Sequence, residues 1–292
     1  MNTMTKGERA YQAFNYAAIS VLAFLTLYPF WDVIRLSFSS ASEAGRMGFS
    51  MWPREPSTEG YKFVLNNHYI WLGYRNTAVR IVIGMAVQLA LTILAAFCLS
   101  KREFPDRKFW TLAIVFTMFF RGGLIPDYLL VRSLHIDNTI LALVLPRAVD
   151  TFAMLIMRNY FMTIPKSLEE SVRIDGAGEW ILLTKIILPL SKPIIMTVAL
   201  WGIVWHWNAW FDCLIYIRDA DKYVLQAILR KIIIDAAPQF NESSGGTLSF
   251  IETSQEVVKC ASIVVATFPI LVIYPFMQKY FIHGMVVGAI KE

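Results

Sequence analysis

A chain can cross a bilayer as a helix wherever about 20 consecutive residues are predominantly apolar. This sequence has six such runs, at about 13–36, 77–100, 109–131, 138–157, 193–217 and 260–278. In lipid every backbone N–H and C=O must find its partner inside the structure, so each run is expected to be a helix. The fold class that follows is all-α, a polytopic membrane protein with six transmembrane helices. Composition agrees. Hydrophobic residues make up 56% of the chain and charged residues 17%, against roughly 45–50% and 25% in soluble domains. The first run exceeds the roughly 7–15 apolar residues of a cleaved signal, so it is read as a retained span.

Charge sets the expected orientation. The net charge of +5 does not point to nucleic acid, because no basic run interleaves with aromatics outside the spans. Lys and Arg instead gather in cytoplasmic loops. The stretch "KREFPDRK" packs four basic residues into eight positions, which puts it and both termini inside. Two outer loops, 37–76 and 218–259, are too short for an enzyme domain and long enough to touch a partner. The second contains "YVLQAILRKIII", an amphipathic piece expected at the membrane interface or on a docking surface. Cys98, Cys213 and Cys260 are odd in number and far apart, so neither a disulfide framework nor a metal cluster is expected. Cys98 and Cys213 read as small packing residues. No metal site is expected from His68, His135, His206 and His283, whose spacing fits neither a metal nor a triad.

Between the fourth and fifth runs lies "SLEESVRIDGAGEWILLTKIILPLSKP", from Ser167 to Pro193. It is polar and patterned like a short helix and a turn. Pro165 ends the preceding element, and Ser167 with Glu170 predicts an S-x-x-E capping box. About two helical turns follow. Asp175-Gly176 stops them, since glycine accepts the left-handed conformation at a helix end. A second helical piece starts at Glu179, and Pro189 and Pro193 are expected to break it and open the fifth span. A short capped helix held between two spans is a knob, shaped for a groove on another protein.

The fifth span places Trp201, Trp205, Asn208 and Asp212 at i, i+4, i+7 and i+11, one helix face, with His206 beside it. One reading is an aromatic interface belt. A belt does not explain Asn208 and Asp212, because buried polar groups in a span usually face a cavity. Indole faces with amide and carboxylate groups suit a sugar's apolar C–H faces and hydroxyls, so these residues are also candidates for a substrate path. Arg121 falls late in the third span before Gly122-Gly123. It reads as a snorkelling helix-end residue or as part of a cavity wall suited to an acidic oligosaccharide. Arg147 and Asp150, at i and i+3 in the fourth span, are expected to pair on one face.

The Ser167–Pro193 segment resembles the EAA loop of ABC importer permeases: E-A-A, three residues, G, nine residues, I-x-L-P. Here the pattern reads Glu170-Ser171-Val172, Gly176, then Ile186-Ile187-Leu188-Pro189. Ser171 and Val172 replace the two alanines. The stretches "GGLIPDYLLVRSL", "NTILALVLP", "WHWNAWFDCLIYIRD" and "TFPILVIYPFMQKYFIHGMVVGAIKE" are similar to the maltose-permease-like carbohydrate branch. More narrowly, they resemble the subset for oligosaccharides and polysaccharide fragments, alginate importers among them. The resemblance spans roughly residues 10–292. It implies the ABC importer type I permease fold, with 1–292 a single transmembrane permease domain, 161–190 a cytoplasmic coupling loop and 218–259 a long outer loop. It also implies ATPase-coupling roles for Glu169, Glu170, Ser171, Arg173, Asp175 and Gly176. The implied partners are a second homologous permease, two ATPase subunits, an extracytoplasmic substrate-binding protein and an oligosaccharide. The implied location is a bacterial cytoplasmic (inner) membrane.

The chain has no G-x-x-x-x-G-K-[ST] phosphate loop, so ATP and magnesium are expected on the partner ATPases and no cofactor on this chain. A transport subunit is expected, not an enzyme. The rival reading is an ion-coupled secondary transporter working through Asp150 and Asp212, or a permease for a different solute. An ion-coupled carrier has no reason to possess the EAA spacing.

Overall fold

The computed structural model describes residues 6–44, 50–120, 122–235, 255–272 and 275. The chain falls in two compact units, one from Met1–His68 and Leu229–Phe268, the other from Tyr69–Ile228 and Pro269–Glu292.

The first unit opens with α1 (Lys6–Ser37), which carries Pro29 in its interior. Its most apolar stretch has no residue buried within the chain, the condition of a helix whose solvent is lipid or another subunit; only near its C-terminal end are Arg35 and Ser37 buried. Beyond it the chain turns back through α2 (Ala41–Ala44). A bridge between Ser39 and Pro56 follows, then α3 (Glu59–Asn66). The turn is pinned by charge. Arg35 donates to Glu43 at 3.0 Å and to Asp32 at 2.9 Å, and Glu43 also accepts from the backbone N–H groups of Arg54 and Glu55. Later in the chain, α15 (Gln255–Val272) approaches α3 at Gly60, where an added Cβ would lie 2.8 Å from Val257.

The second unit is built on α4 (His68–Ser100). Its buried positions include Gly73, Thr77, Arg80, Gly84, Gln88, Thr92 and Ala96, a seam of small and polar residues at helical spacing. Such an inverted pattern is what close helix packing in lipid favours, because an apolar surface costs nothing against hydrocarbon. Next come α5 (Arg107–Phe119), α6 (Leu124–Ser133), α7 (Ile140–Val144) with a 3₁₀ turn to Arg147, and α8 (Thr151–Phe161). Then follow α9 (Lys166–Ile174), α10 (Glu179–Ile181), a π-helical stretch Leu182–Ile187 and α11 (Leu188–Leu190). The unit continues through α12 (Lys192–Asn208) and α13 (Phe211–Tyr216) into the start of α14 (Leu225–Asp235). One core joins Phe97 and Leu99 of α4 to Met154, Met157 and Phe161 of α8, with Leu182, Leu183, Ile187 and Val198. A second gathers Val131, Leu143, Cys213, Tyr216 and Val224.

Among the described residues three helices are long and apolar enough to cross a membrane as they stand: the α1 segment Ala10–Ser37, α4 and α15. Three bent pairs raise the number to six if each pair is one span. The spans expected at 109–131 and 138–157 coincide with two of these bent pairs, and the third joins Glu179–Leu190 to Lys192–Asn208, so it begins upstream of the run expected at 193–217. The fourth bends by 53° between Arg147 and Thr151. Arg147 ends the first half and Asp150 caps the second, so no single helix face carries both. The expected fifth span ends at Asn208 and resumes at Phe211. The second span starts nine residues earlier than its apolar run implied, at His68. The sixth starts at Gln255, and most of its expected end lies outside the described residues. Cys98 is exposed, against the packing role expected of it, whereas Cys213 and Cys260 are buried.

The prolines also act differently from expectation. Pro189 does not break its helix. The preceding turns widen to π geometry, with the Leu188 N–H donating to the Leu183 carbonyl five residues back, and a π-bulge absorbs the ladder disturbance that proline introduces. The break falls at Ser191, and the helix bends by 80° there. Pro193 sits in the first turn of α12, where its missing N–H would have no intrahelical partner anyway.

Candidate functional site

The first site is α9 and its surroundings. The capping box is absent. Pro165 stands at the N-cap with no side-chain cap bond, and the helix starts at Lys166, which puts Ser167 inside the first turn where its hydroxyl cannot serve as cap. The C-terminus is built as the glycine predicts. Gly176 has φ +75°, its N–H donates to the Arg173 carbonyl at 3.0 Å, and the Ala177 N–H donates to Val172 at 3.1 Å. That pair of bonds around a left-handed residue is the Schellman closure.

Among the six coupling candidates, Glu169 lies 2.8 Å from Lys101, and Arg173 bridges Glu103 and Glu179 at 2.9 and 3.0 Å. Those two carboxylates hold the Arg173 guanidinium above its ordinary pKa. The Ser171 hydroxyl donates to its own helix at Leu168. Glu170 and Asp175 face solvent. So does Ile174, at 85% exposure, an apolar side chain on a polar helix. A cavity of about 140 Å³ is lined by both α9 and the turn after α4, Lys101, Glu103, Glu169 and Glu170 among its walls.

The second site is a buried polar hub whose centre, Arg80, the sequence does not single out, although its partners His206 and Asp212 are among the substrate-path candidates. Arg80 of α4 is fully buried. Its guanidinium donates to both carboxylate oxygens of Asp212 in α13. It also donates to the carbonyls of Leu143 and Ala209 and, through Nε at 3.3 Å, to His206 Nδ1. Every donor group is met, the condition under which a charge inside a span is tolerable. The hub ties α4, α7, α12 and α13 together at the Ala209–Trp210 break, and the Cys213 N–H closes the Asp212 side of it at 2.9 Å.

Trp205 lies against this hub, its ring 5.4 Å from the Arg80 guanidinium and 4.2 Å from that of Arg147. Trp201 stacks on Phe152, centroids 6.1 Å apart. A cavity of about 180 Å³ opens beside them, lined by Gln88, Arg147, Asp150, Trp201 and Trp205 among others. Of the expected stripe, the two tryptophans line that cavity together. His206 is buried behind them, and Asp212 belongs to the hub. Asn208, at the exposed end of α12, donates to the Val204 carbonyl at 2.8 Å. The physical reason is the helix break after Asn208, which ends the common face. Asp150 caps α8 by accepting from the Ala153 N–H at 3.1 Å. The carboxylates an ion-coupled carrier would need are thus engaged in the fold. Arg121 lies outside the described residues. Among the described residues no cluster of three or more His, Cys, Asp or Glu side chains is placed to hold a metal.

Comparison with known proteins gives full-length matches. No family model matches the chain. It is 37% identical over 287 residues to Protein LplC of Bacillus subtilis (strain 168), covering 98% of this chain and 97% of that one. It is 36% identical over 285 residues to the polygalacturonan/rhamnogalacturonan transport system permease protein YtcP of the same organism, covering 97% and 99%. Among solved structures it superposes with a TM-score of 0.87 and 31% identity on a chain of a bacterial ABC transporter involved in the import of the acidic polysaccharide alginate, covering 96% of this chain and all of that one.

Proposed function

This chain belongs to the sugar ABC-importer permease family, and from that premise we propose that it is one half of a heteromeric permease importing acidic oligosaccharides. Two of the proteins named above support this substrate class, since polygalacturonan, rhamnogalacturonan and alginate all carry uronic acid carboxylates. The other half is a second, homologous permease. Two ATPase subunits lie on the cytoplasmic side, where ATP and magnesium bind, and an extracytoplasmic binding protein delivers the sugar. Both termini and α9 face the cytoplasm of a bacterial inner membrane, and the whole chain serves as one permease domain. Residues 161–190 form the coupling loop, and 218–259 face outward.

The observation that carries this reading is α9. It is a nine-residue polar helix that buries none of its side chains, is closed by a left-handed glycine, and leaves Ile174 bare. Such a helix is built to be covered by another subunit. ATP-driven closure of the ATPases moves α9, and the two permease halves exchange inward- and outward-facing states. Glu170, Asp175 and Ile174 meet the ATPase; Glu169, Ser171, Arg173 and Gly176 hold the helix in shape. Sugar passes along Trp201 and Trp205, with Arg147 as carboxylate partner. His206, Asp212 and Asn208 support that wall from behind or at its end. Arg121 is assigned to the same path by sequence alone.

Gly176→Val tests the reading. No atom lies within 4 Å of an added Cβ, so only backbone strain acts, about 1–2 kcal/mol for a left-handed L-residue, and more for a β-branched one. Binding-protein-stimulated ATPase of the reconstituted complex should fall while the protein still inserts. Normal stimulation and normal uptake would remove α9 from the coupling path.

A further inference from the structure

We propose that Lys101 and Glu103, on the turn that ends α4, are positioning residues that clasp the coupling helix and make α4 the element that receives its motion. This rests on the reading of α9 as the coupling helix. The need for a clasp follows from what α9 lacks. It contributes no fully buried side chain, and only Val172 packs against the neighbouring core. Hydrophobic contact alone does not hold it.

Charge does. The turn presents a cation and an anion two residues apart. The helix presents an anion, Glu169, and a cation, Arg173, at i and i+4 on one face. Lys101 meets Glu169 at 2.8 Å and Glu103 meets Arg173 at 2.9 Å. Glu179, at the start of α10, is shared, 3.7 Å from Lys101 and 3.0 Å from Arg173. The result is an alternating chain, Glu169–Lys101–Glu179–Arg173–Glu103. Its order fixes direction as well as contact, since sliding or reversing α9 by one turn brings like charges together.

The two ends differ in environment. Lys101 and Glu169 are largely shielded, at 13% and 22% side-chain exposure, while Glu103 and Arg173 are open to water. An isolated exposed pair is weak and screened by salt, so the inner pair holds and the outer pair orients. Lys101 is itself seated, its ammonium 4.7 Å from the Phe97 ring centroid, and Phe97 is part of the buried core with Met157 and Phe161. A push on α9 therefore arrives at a rigid point of α4. The same helix carries Arg80 of the hub, so one continuous element joins the clasp to the wall of the sugar cavity. A rigid element biased from both ends is a physical route for coupling.

The test uses the complete transporter, reconstituted with its ATPases and binding protein and normalised to assembled complex. Lys101→Glu and Glu169→Lys are made singly and together, with Lys101→Arg as the conservative control. Glu103→Arg with Arg173→Glu provides a second reversal at exposed positions, where folding is not at issue. The readout is the ratio of binding-protein-stimulated to basal ATPase. Each single reversal should lower the ratio at least fivefold, the paired reversals should return it to within twofold of wild type, and Lys101→Arg should stay near wild type. Paired reversals no better than the singles overturn the clasp, as do singles with an unchanged ratio. A separate arm places cysteine at Ile174 and at the facing surface of the ATPase. If that cross-link forms and the reversals fail to rescue, the clasp is wrong and the coupling helix stands. If no cross-link forms at any ATPase position, the coupling reading falls and the clasp with it.

Discussion

Arg80 in α4 and Asp212 in α13 stand 132 residues apart in sequence and form a two-pronged ion pair in the interior of the second unit. The pair closes over the break between α12 and α13, where the helical ladder cannot satisfy its own groups. The Ala209 carbonyl, freed by that break, also accepts from Arg80 at 3.4 Å.

Removing one partner should cost more than removing both. Arg80→Met leaves a carboxylate and two carbonyls without their donor, a loss of about 3–5 kcal/mol for a broken buried pair. Arg80→Met with Asp212→Leu leaves the same carbonyls but no orphaned charge, so the double variant should be the more stable. Thermal unfolding of the purified complex measures this. A double variant that melts at or below Arg80→Met would show that the charge pair is not what secures the break.

Glu43 predicts a pH dependence in the first unit. Burial pushes its carboxyl up, but hydrogen bonds from the Glu55 and Arg54 backbone and the charge of Arg35 prevail, so its pKa lies below the ordinary 4.5. A depressed carboxylate stabilises the fold above its unfolded pKa, and that stability is lost as pH falls through the folded value. Protease cleavage within residues 50–56 should therefore stay slow from pH 7 to 5 and accelerate only as the pH falls below the ordinary 4.5. In Glu43→Gln it should be fast throughout, through loss of a charged hydrogen bond worth about 1.5–3 kcal/mol. A wild-type rate that is flat with pH would dismiss the role of Glu43.

What could be read from the sequence was whatever depends on long apolar runs or on a single backbone demand. The apolar runs located α1, α4 and α15 because solvent alone decides them. Gly176 could be placed because a left-handed helix end favours glycine over any residue with a Cβ. The breaks were hidden. Ala209-Trp210 holds no proline or glycine, and the chain parts there because Arg80 and Asp212 satisfy the opened ends from a distance. Arg80 itself was overlooked because α4 is inverted: its polar residues face protein, so "HYIWLGYRNTAVR" reads as a loop running into a span. The Ser167 capping box failed because its pattern takes no account of Pro165, which occupies the cap one step earlier. Asp212 shared a helical face with Trp205 only on the assumption of a straight helix.

Two close helix contacts between α4 and α12 should differ in tolerance although both use glycine. A Cβ on Gly202 would meet the Met85 sulfur at 2.4 Å, and one on Gly84 would meet the His206 ring at 2.6 Å. Met85 ends in a flexible chain that can swing away. His206 is buried and held by Arg80, so it must push back on the hub. Gly84→Ala should destabilise the complex by about 1–3 kcal/mol, the range for overpacking, with Gly202→Ala well below it. Equal melting temperatures for the two variants would contradict the idea that the hub fixes His206.

The proposed sugar wall yields the last prediction. Trp205 presents a large apolar face beside Arg147 and Gln88 in the cavity, and an indole face suits the C–H face of a pyranose. Replacing it by alanine removes that surface, a loss of about 0.5–1.5 kcal/mol beyond area burial, so uptake should fall roughly tenfold; Trp205→Phe should recover part of it. Arg147→Gln should leave the wall standing but take away the carboxylate's partner, and a charge-assisted bond is about twice as strong as a neutral one. Its effect should therefore appear with uronate oligosaccharides and be small with neutral ones. Asn208→Ala should have less effect than either, because its amide serves the Val204 carbonyl at the end of α12 and no sugar contact is lost. Uptake of labelled uronate and neutral oligosaccharides, normalised to assembled complex, separates these cases. If Asn208→Ala is the damaging change and Trp205→Ala is silent, the path does not run through this cavity, and the tryptophans serve only as packing.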